Sequence, residues 1–410
     1  MRRRDGGLAG ILAAALALCI SPSHSQTLAI KQGFDAAWAR QPENKAASLR
    51  RDAAAAVVAA AHRWTPGPPS LEAGVKTDQF NRNAGVREYE AGIAVPLWLP
   101  GERDGAQRAA ASEASLLDAR LRAAQWRLAA QVRDAYWSYQ RALMAQQLAE
   151  RRVANGRQLA QDVARRLRAG DLAKADSHQA EGALAAAQAA MAEAFVARMQ
   201  AARAWTLTTG LQDLPSGPGQ ASLETRPGAE QVQPQHPALQ ELESKAELAR
   251  RQLALAGVQA RSNPEVLVGG VRERDGLGER YAQSLVVGLR IPLGKSHTSD
   301  ARVAGASADL LEAETQLTLE GDRIRTEVAT ADATLASLQD ALDAAERRAV
   351  LASESRGFYE KSFRLGESDL PTRLRVELEV FEAERQAARS RLEVQAAVSQ
   401  LRQALGLLPE

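Results

Sequence analysis

The sequence predicts an α+β membrane protein in which long helical hairpins carry four short β-strands per chain. Three observations support this fold class. Landmarks in the chain recur at a spacing of 196 residues, which indicates a duplication. Each copy contains two runs of about ten residues in which apolar and polar side chains alternate. Each copy then continues into a long segment without proline, as long helices require.

The composition of the 410-residue chain excludes several classes of protein. Hydrophobic residues make up 45% of the chain and charged residues 25%. No apolar run reaches the length of about 18 residues that identifies a membrane-spanning helix, so a membrane crossing would have to use strands. The formal net charge of +2 gives no reason to expect nucleic acid as a partner.

The first 25 residues are predicted to be a signal peptide. Three arginines at 2–4 precede an apolar stretch at 8–20, and the small-x-small pattern of a cleavage site follows at 23–25. The chain's single cysteine, Cys19, lies inside the apolar stretch, so no disulfide is expected in the mature protein. Acylation of Cys19 is the alternative, which Leu18 disfavours because a lipoprotein signal has a small residue there.

Three landmarks define two structural repeats. The members of each pair lie 196 residues apart: Pro96 and Pro292, Gly170 and Gly366, Gly210 and Gly406. This spacing predicts a first repeat at 26–211 and a second at 237–408. Between them, the segment 212–236 is rich in Pro, Gly and Gln and is predicted to be a linker.

Each repeat is predicted to begin with a helical segment, at 28–62 and 237–261, and to continue into a strand hairpin. The strand hairpins are predicted at 70–97 and 265–292, where the period of two indicates strands with two different faces. Strands of about ten residues can cross a bilayer when they are tilted by about 45°. A soluble hairpin that covers a small core is the alternative.

Long helices are predicted after each strand hairpin. No proline occurs at 101–214 or 293–370, and apolar residues recur there at coiled-coil spacing. A helix from Glu102 to Arg168 would be a rod of roughly 100 Å. Glycines at the two helical turns are predicted to end the outgoing helices, and Asp171 or Ser368 to cap the returning ones.

Four strands cannot close a barrel, and open sheet edges are not tolerated in lipid. The chain is therefore predicted to oligomerise. Three copies would supply 12 strands, an even number within the bacterial range. Two copies would give eight strands and a filled barrel, so a homotrimer is the smaller assembly that leaves a channel.

These features together resemble the TolC-like outer-membrane efflux proteins. The similarity spans about Leu28 to Leu407 and includes the signal peptide, the duplication and the strand hairpins that close with a proline. It also includes the two turns, Arg168-Ala169-Gly170-Asp171-Leu172 and Arg364-Leu365-Gly366-Glu367-Ser368. The short extracellular loops look most like the heavy-metal (cobalt-zinc-cadmium) resistance subgroup.

The resemblance implies a trimeric duct with a 12-stranded β-barrel in outer-membrane lipid and a long periplasmic α-barrel. Such a duct lies in the outer membrane of a Gram-negative bacterium and extends into the periplasm. Its helical tips dock onto a periplasmic adaptor (membrane fusion) protein that is bound to an inner-membrane pump, here expected to be proton-driven. The implied function is passive export of heavy-metal cations or drugs, with specificity set by the pump. Type I protein secretion by the same scaffold and a periplasmic adaptor or coiled-coil scaffold are the alternatives.

The resemblance assigns roles to residues at the two helical tips. The expected adaptor contacts are Gly170, Leu172, Gly366, Ser368 and Leu370. Charged residues are expected to hold the periplasmic end closed where three chains converge: Arg168, Asp171, Asp176, Arg364, Glu367 and Asp369. Alternatively these charges are helix caps and dipole partners, worth about 1 kcal/mol each.

Aromatic residues near the predicted strands offer a second test of membrane insertion. Trp64 and Trp98 flank the strands on the helix side, and Phe80 and Tyr89 lie toward the loops. Such positions suit the aromatic girdles at the two membrane interfaces. Packing in a core is the alternative.

The sequence offers no catalytic or cofactor-binding pattern. The five histidines are scattered and form no pair at ligand spacing: His24, His62, His178, His236 and His297. The segment 288–296 superficially resembles a phosphate loop, but it has five residues between its glycines and a proline where backbone N–H groups are needed. We therefore expect no metal site, no cofactor and no enzymatic activity.

Overall fold

The computed structural model describes residues 29–215, 224–228, 236–294, 296 and 298–410. The predicted signal peptide, including Cys19 and His24, lies outside the described residues. So do His297 and most of the predicted linker. Seven helices and four strands occur within the described ranges.

Two helices, α1 (Ala29–Arg40) and α2 (Pro42–Ala61), precede the first strands, where the sequence analysis predicted a single helical segment. That prediction was wrong at Gln41, whose backbone is extended, with φ −64° and ψ 137°. Proline disfavours a helical conformation in the preceding residue and fits the first turn of a helix. Pro42 therefore separates the two helices.

Four antiparallel strands form one sheet in the order β1-β2-β3-β4. They are β1 (Ser70–Thr77), β2 (Arg87–Pro96), β3 (Glu265–Arg274) and β4 (Ala282–Arg290). The two hairpins join through β2 and β3, where Gly92 is opposite Gly269. A Cβ atom on Gly269 would lie 2.8 Å from the Ala91 carbonyl oxygen, so only glycine fits at this junction.

Each strand hairpin leads into a helical hairpin. The first consists of α3 (Glu102–Ala169) and α4 (Lys174–Thr209), and the second of α6 (Ser299–Arg364) and α7 (Leu370–Ala404). The outgoing helices have 68 and 66 residues, so each is a rod of roughly 100 Å. Between the two hairpins, α5 (Pro237–Val258) packs against α3 and α6, and α3 also packs against α7.

The largest core cluster lies midway along the helices, far from the tips. Tyr136 and Trp137 of α3 pack edge to face there, with ring centroids 5.0 Å apart, and Trp205 of α4 and Phe34 of α1 complete the cluster. A smaller cluster lies next to the helical tips and joins both hairpins: Leu159, Val163, Ala180, Phe363 and Leu370.

A short segment between the repeats, the strap (residues 224–228), is held against the helices by a buried ion-pair network. The Glu224 carboxylate lies 2.6 Å from Nη2 of Arg133 and 3.5 Å from Nε of Arg402. All three side chains are at most 3% exposed. The strap therefore connects α3 of the first repeat with α7 of the second.

Candidate functional site

The two faces of the sheet differ in chemistry. Paired residues in a sheet share a face, so one face carries the row Leu71, Ile93, Val268 and Val287. These side chains are exposed although they are large and apolar. Because an exposed apolar sheet surface is costly in water, this face requires a covering of lipid or protein.

The opposite face of the sheet is charged. It carries five carboxylates and two cations: Glu72, Glu88, Glu90, Glu265, Glu273, Lys76 and Arg290. Arg290 of β4 contacts both Glu265, at 2.9 Å, and Glu72 of β1, at 3.3 Å. An ion pair between the two edge strands requires the sheet to curve toward its charged face. The charged face is therefore concave and the apolar face convex.

Both edges of this sheet lack a partner within the described part of the chain, since β1 pairs only with β2 and β4 only with β3. Unpaired backbone groups at an edge are a template for another strand. The described helices include none that is both long and apolar enough to cross a membrane.

The helical tips have the glycine geometry that the sequence predicted. Gly170 and Gly366 adopt left-handed conformations, with φ of +86° and +79°. In each turn the glycine N–H and the next N–H donate to carbonyls of the outgoing helix, at 3.0 to 3.2 Å. These bonds satisfy carbonyl groups that would otherwise be unpaired at the helix end.

The predicted caps of the returning helices were wrong. Helix α4 is preceded by Ala173, and Asp176 accepts a hydrogen bond from the Ala173 N–H at 3.0 Å. Helix α7 is capped by Asp369, whose carboxylate accepts from the Thr372 N–H at 3.0 Å. Hydrogen bonds from Thr372 hold the pKa of the Asp369 carboxyl below its usual range. The reversal after each glycine uses two further residues, which moves the cap past Asp171 and Ser368.

One of the predicted adaptor contacts does not lie on the surface. Leu370 is 1% exposed in the core cluster next to the tips, and Leu172 packs partly buried against that cluster. The apolar side chain that protrudes is Leu365, which is 74% exposed and was missed. Its position before the glycine, equivalent to Ala169 in the first repeat, was the signal that could have identified it.

The six predicted gate charges are not paired with one another in the described chain. Asp176 and Asp369 serve as caps, and Arg364 lies 3.9 Å from Glu360 of its own helix. Arg168, Asp171 and Glu367 are exposed at the tips.

The four predicted interfacial aromatics lie at the two ends of the sheet. Trp64 and Trp98 are on the helix side, where the Trp98 indole donates to the Arg63 carbonyl at 3.2 Å. Phe80 is 95% exposed in the loop between β1 and β2. Tyr89 is near the loop end of β2, with its ring centroid 6.3 Å from that of Tyr281.

No group of three or more His, Cys, Asp or Glu residues in the described ranges has an arrangement that could hold a metal ion. The concave charged sheet face, the unpaired edges and the hairpin tips therefore carry the candidate function. An open sheet with two unpaired edges fits a wall to which each of several chains supplies a part.

Comparisons with known proteins identify the fold and a matching family. The chain is similar to the solved structure of CusC, with 19% identity, 92% coverage of both chains and a TM-score of 0.76. It is also similar to VceC, an outer membrane protein of Vibrio cholerae, with 16% identity, 93% and 97% coverage and a TM-score of 0.73. The open outer membrane channel MtrE of Neisseria gonorrhoeae has 19% identity, 92% and 89% coverage and a TM-score of 0.70. No curated protein sequence matches the chain significantly.

Residues 34–211 match the model of the outer membrane efflux protein family. This match covers the first repeat, and the solved structures share the fold of the chain over 92–93% of its length. The fold class and the resemblance to outer-membrane efflux proteins that the sequence predicted are thereby confirmed.

Proposed function

We propose that three copies of this chain form the passive outer-membrane duct of a tripartite efflux system. The observation that carries the proposal is the four-stranded sheet, which has an apolar convex face, a charged concave face and two unpaired edges. Pairing of β4 in one copy with β1 in the next removes every edge after three copies. The apolar face then contacts outer-membrane lipid and the charged face lines the pore.

The helical hairpins support the same assembly. Helix α4 packs on α3 and α1, and helix α6 on α5 and α7, so each leaves one side without a packed neighbour. Large apolar side chains are exposed on both helices, on α4 at Val196 and Leu207 and on α6 at Leu319 and Phe358. A neighbouring copy that brings its α6 against α4 would cover these side chains and close a ring of long helices.

The charge of the pore face favours cations as cargo. Five carboxylates against two cations per chain give the concave face a negative potential, which a trimer multiplies. Heavy-metal cations are therefore the proposed cargo, with cationic drugs as the second candidate. The periplasmic adaptor docks at the helical tips, and a proton-driven inner-membrane pump supplies the energy. The alternative cargo is unfolded protein, exported by type I secretion.

Two measurements test the duct. Light scattering on the detergent-extracted protein should give about three times the chain mass, in the outer-membrane fraction of a density gradient. In planar bilayers the trimer should conduct. Under a salt gradient, the sign of its reversal potential should be the one expected for a channel that prefers cations to anions. A monomer or dimer in the soluble periplasmic fraction, or a trimer without conductance, would contradict the proposal.

The exposed tip charges are proposed to hold the periplasmic end closed in the trimer. The double variant Asp171→Ala with Glu367→Ala should raise the closed-state current, because it removes carboxylates where three chains converge. The matched control is Asp52→Ala with Glu113→Ala, which removes two exposed carboxylates far from the tips. Equal currents in the two double variants would refute charge-held closure.

A further inference from the structure

A cleft lies between the two helical hairpins, on the core side of the tips. It has a volume of about 560 Å³, and its walls come from α3, α4, α6 and α7. It therefore lies where the first and second repeats meet, separate from the sheet and from the tip turns.

The cleft carries an excess of guanidinium groups. Seven arginines line it: Arg151, Arg152, Arg165, Arg166, Arg356, Arg364 and Arg373. Four carboxylates line it: Asp162, Glu360, Glu377 and Glu384. When all of these groups are ionised, the seven arginines exceed the four carboxylates by three positive charges in one cavity.

The carboxylates of the cleft are largely committed to four of the arginines. Asp162 lies 3.1 Å from Arg165 and 3.4 Å from Arg166. Glu384 and Glu360 each lie 3.9 Å from one arginine, Arg356 and Arg364. Within the described residues, Arg151, Arg152 and Arg373 have no carboxylate at ion-pair distance.

Two of the unpaired arginines are held in place by aromatic rings. The Arg152 guanidinium lies 4.7 Å from the centroid of Phe381, and that of Arg373 lies 4.9 Å from the centroid of Phe363. Stacking on a ring fixes a guanidinium plane and leaves its N–H edge free to donate. The Arg373 Nε is in fact buried without a hydrogen-bond partner in the described chain. Such a group requires a partner that the chain does not supply.

The fourth carboxylate of the cleft, Glu377, lies at ion-pair distance from none of the arginines in the described chain. Burial raises the pKa of its carboxyl above the usual range, against the opposing effect of Arg356 and Arg373.

We propose that this cleft binds a multivalent phosphate-type anion between Arg152 of α3 and Arg373 of α7. Paired guanidinium forks are the groups that match the oxygens of phosphate in charge and geometry. An anion in this position joins the helical hairpins of the two repeats, because each supplies one of the two arginines. Bound anion therefore stabilises the packing of the hairpins near the tips.

The test is thermal unfolding of the detergent-extracted full chain with increasing sodium pyrophosphate, at an ionic strength kept constant with sodium chloride. The melting temperature should rise with the logarithm of the pyrophosphate concentration above the dissociation constant, since the anion binds only the folded state. In Arg152→Gln the dissociation constant of pyrophosphate that this rise gives should increase about tenfold, the effect of losing one charge-assisted fork. If Arg152→Gln does not fold, Arg151→Gln is measured in its place. Arg151 lies at an exposed position on the cleft rim, so this variant should increase the dissociation constant of pyrophosphate by a smaller factor.

The matched control is Arg120→Gln, which removes one exposed positive charge from the same helix far from the cleft. Its dissociation constant for pyrophosphate should equal that of the wild type. A wild type that does not respond to pyrophosphate would overturn the proposal, and so would equal responses in Arg152→Gln and Arg120→Gln. Neither result would affect the duct, which trimer mass and conductance test separately.

Discussion

The stability that the strap contributes by joining the two repeats should depend on the charge of one carboxylate, that of Glu224. In Glu224→Gln the side chain keeps its shape but loses its charge. Arg133 and Arg402, at 3% and 0% exposure, then remain buried without that counter-charge. Arg402 keeps one carboxylate partner, Glu410, at 2.6 Å, whereas Arg133 keeps only neutral acceptors such as the Leu407 carbonyl at 3.1 Å.

The expected loss follows from these distances and burial. Removal of one partner from a buried ion pair costs about 3–5 kcal/mol, because the remaining charge is uncompensated in a medium that solvates it poorly. Unfolding entropy of about 2.1 cal/mol/K per residue gives about 0.9 kcal/mol/K for this chain, so the melting temperature should fall by about 3–6 °C. Circular dichroism at 222 nm on the detergent-extracted protein measures this shift directly.

The strap itself provides the matched control. Arg226 pairs with Asp332 at 2.9 Å, but both side chains are more than half exposed. An exposed pair contributes about 0–1 kcal/mol, so Asp332→Asn should lower the melting temperature by about 1 °C or less. Equal shifts in Asp332→Asn and Glu224→Gln would refute the reasoning, since burial would then not matter.

Three further predictions concern the helices. Leu370→Ala should lower the free energy of unfolding by about 2–5 kcal/mol, because it leaves a cavity in the core cluster next to the tips. Leu365→Ala, at a 74% exposed position, should change that free energy by less than about 0.5 kcal/mol in the same melting experiment. Gly170→Ala should cost about 1–2 kcal/mol from its left-handed backbone alone. Gly406→Ala should cost more, because a Cβ there also collides with the rigid ring of Pro237; a larger loss for Gly170→Ala would contradict this. Burial, with a smaller effect of Glu224, raises the pKa of Tyr136 to about 12, so its contribution to stability is complete below pH 10 and is lost as the pH rises through 12. In an absorbance titration, the tyrosine that ionises near pH 12 should be absent from Tyr136→Phe. The stability of this variant near neutral pH should change little, because the buried hydroxyl has no partner in the described chain.

Secondary structure was predictable where proline and glycine mark the ends of elements. The first strand begins at Ser70, where the first strand hairpin was predicted to begin, and α3 ends within one residue of the expected position because Gly170 stops it. The break at Gln41 also has a local signal in Pro42. The caps at Ala173 and Asp369 were missed because the number of residues in a reversal depends on how the two helices pack.

The candidate site was only partly predictable. Both tips and both strand pairs were found, since each follows from local residue order. The buried position of Leu370, the protruding Leu365 and the cleft arginines were not found. Arg152 and Arg373 are far apart in the chain and share no periodic pattern, so only the packing of the two hairpins brings them to one cavity.

The sequence by itself determined the duplication, the types of element and their lengths, because helix and strand periods and the placement of proline and glycine are properties of neighbouring residues. The tertiary structure alone decided which charges are buried, which face of the sheet is concave and which residues of the two repeats meet. These features depend on contacts between distant parts of the chain, such as that between Glu224 and Arg402. The free energy of such a contact comes from the exclusion of water by the whole fold, so the residues next to either partner in the sequence do not predict it.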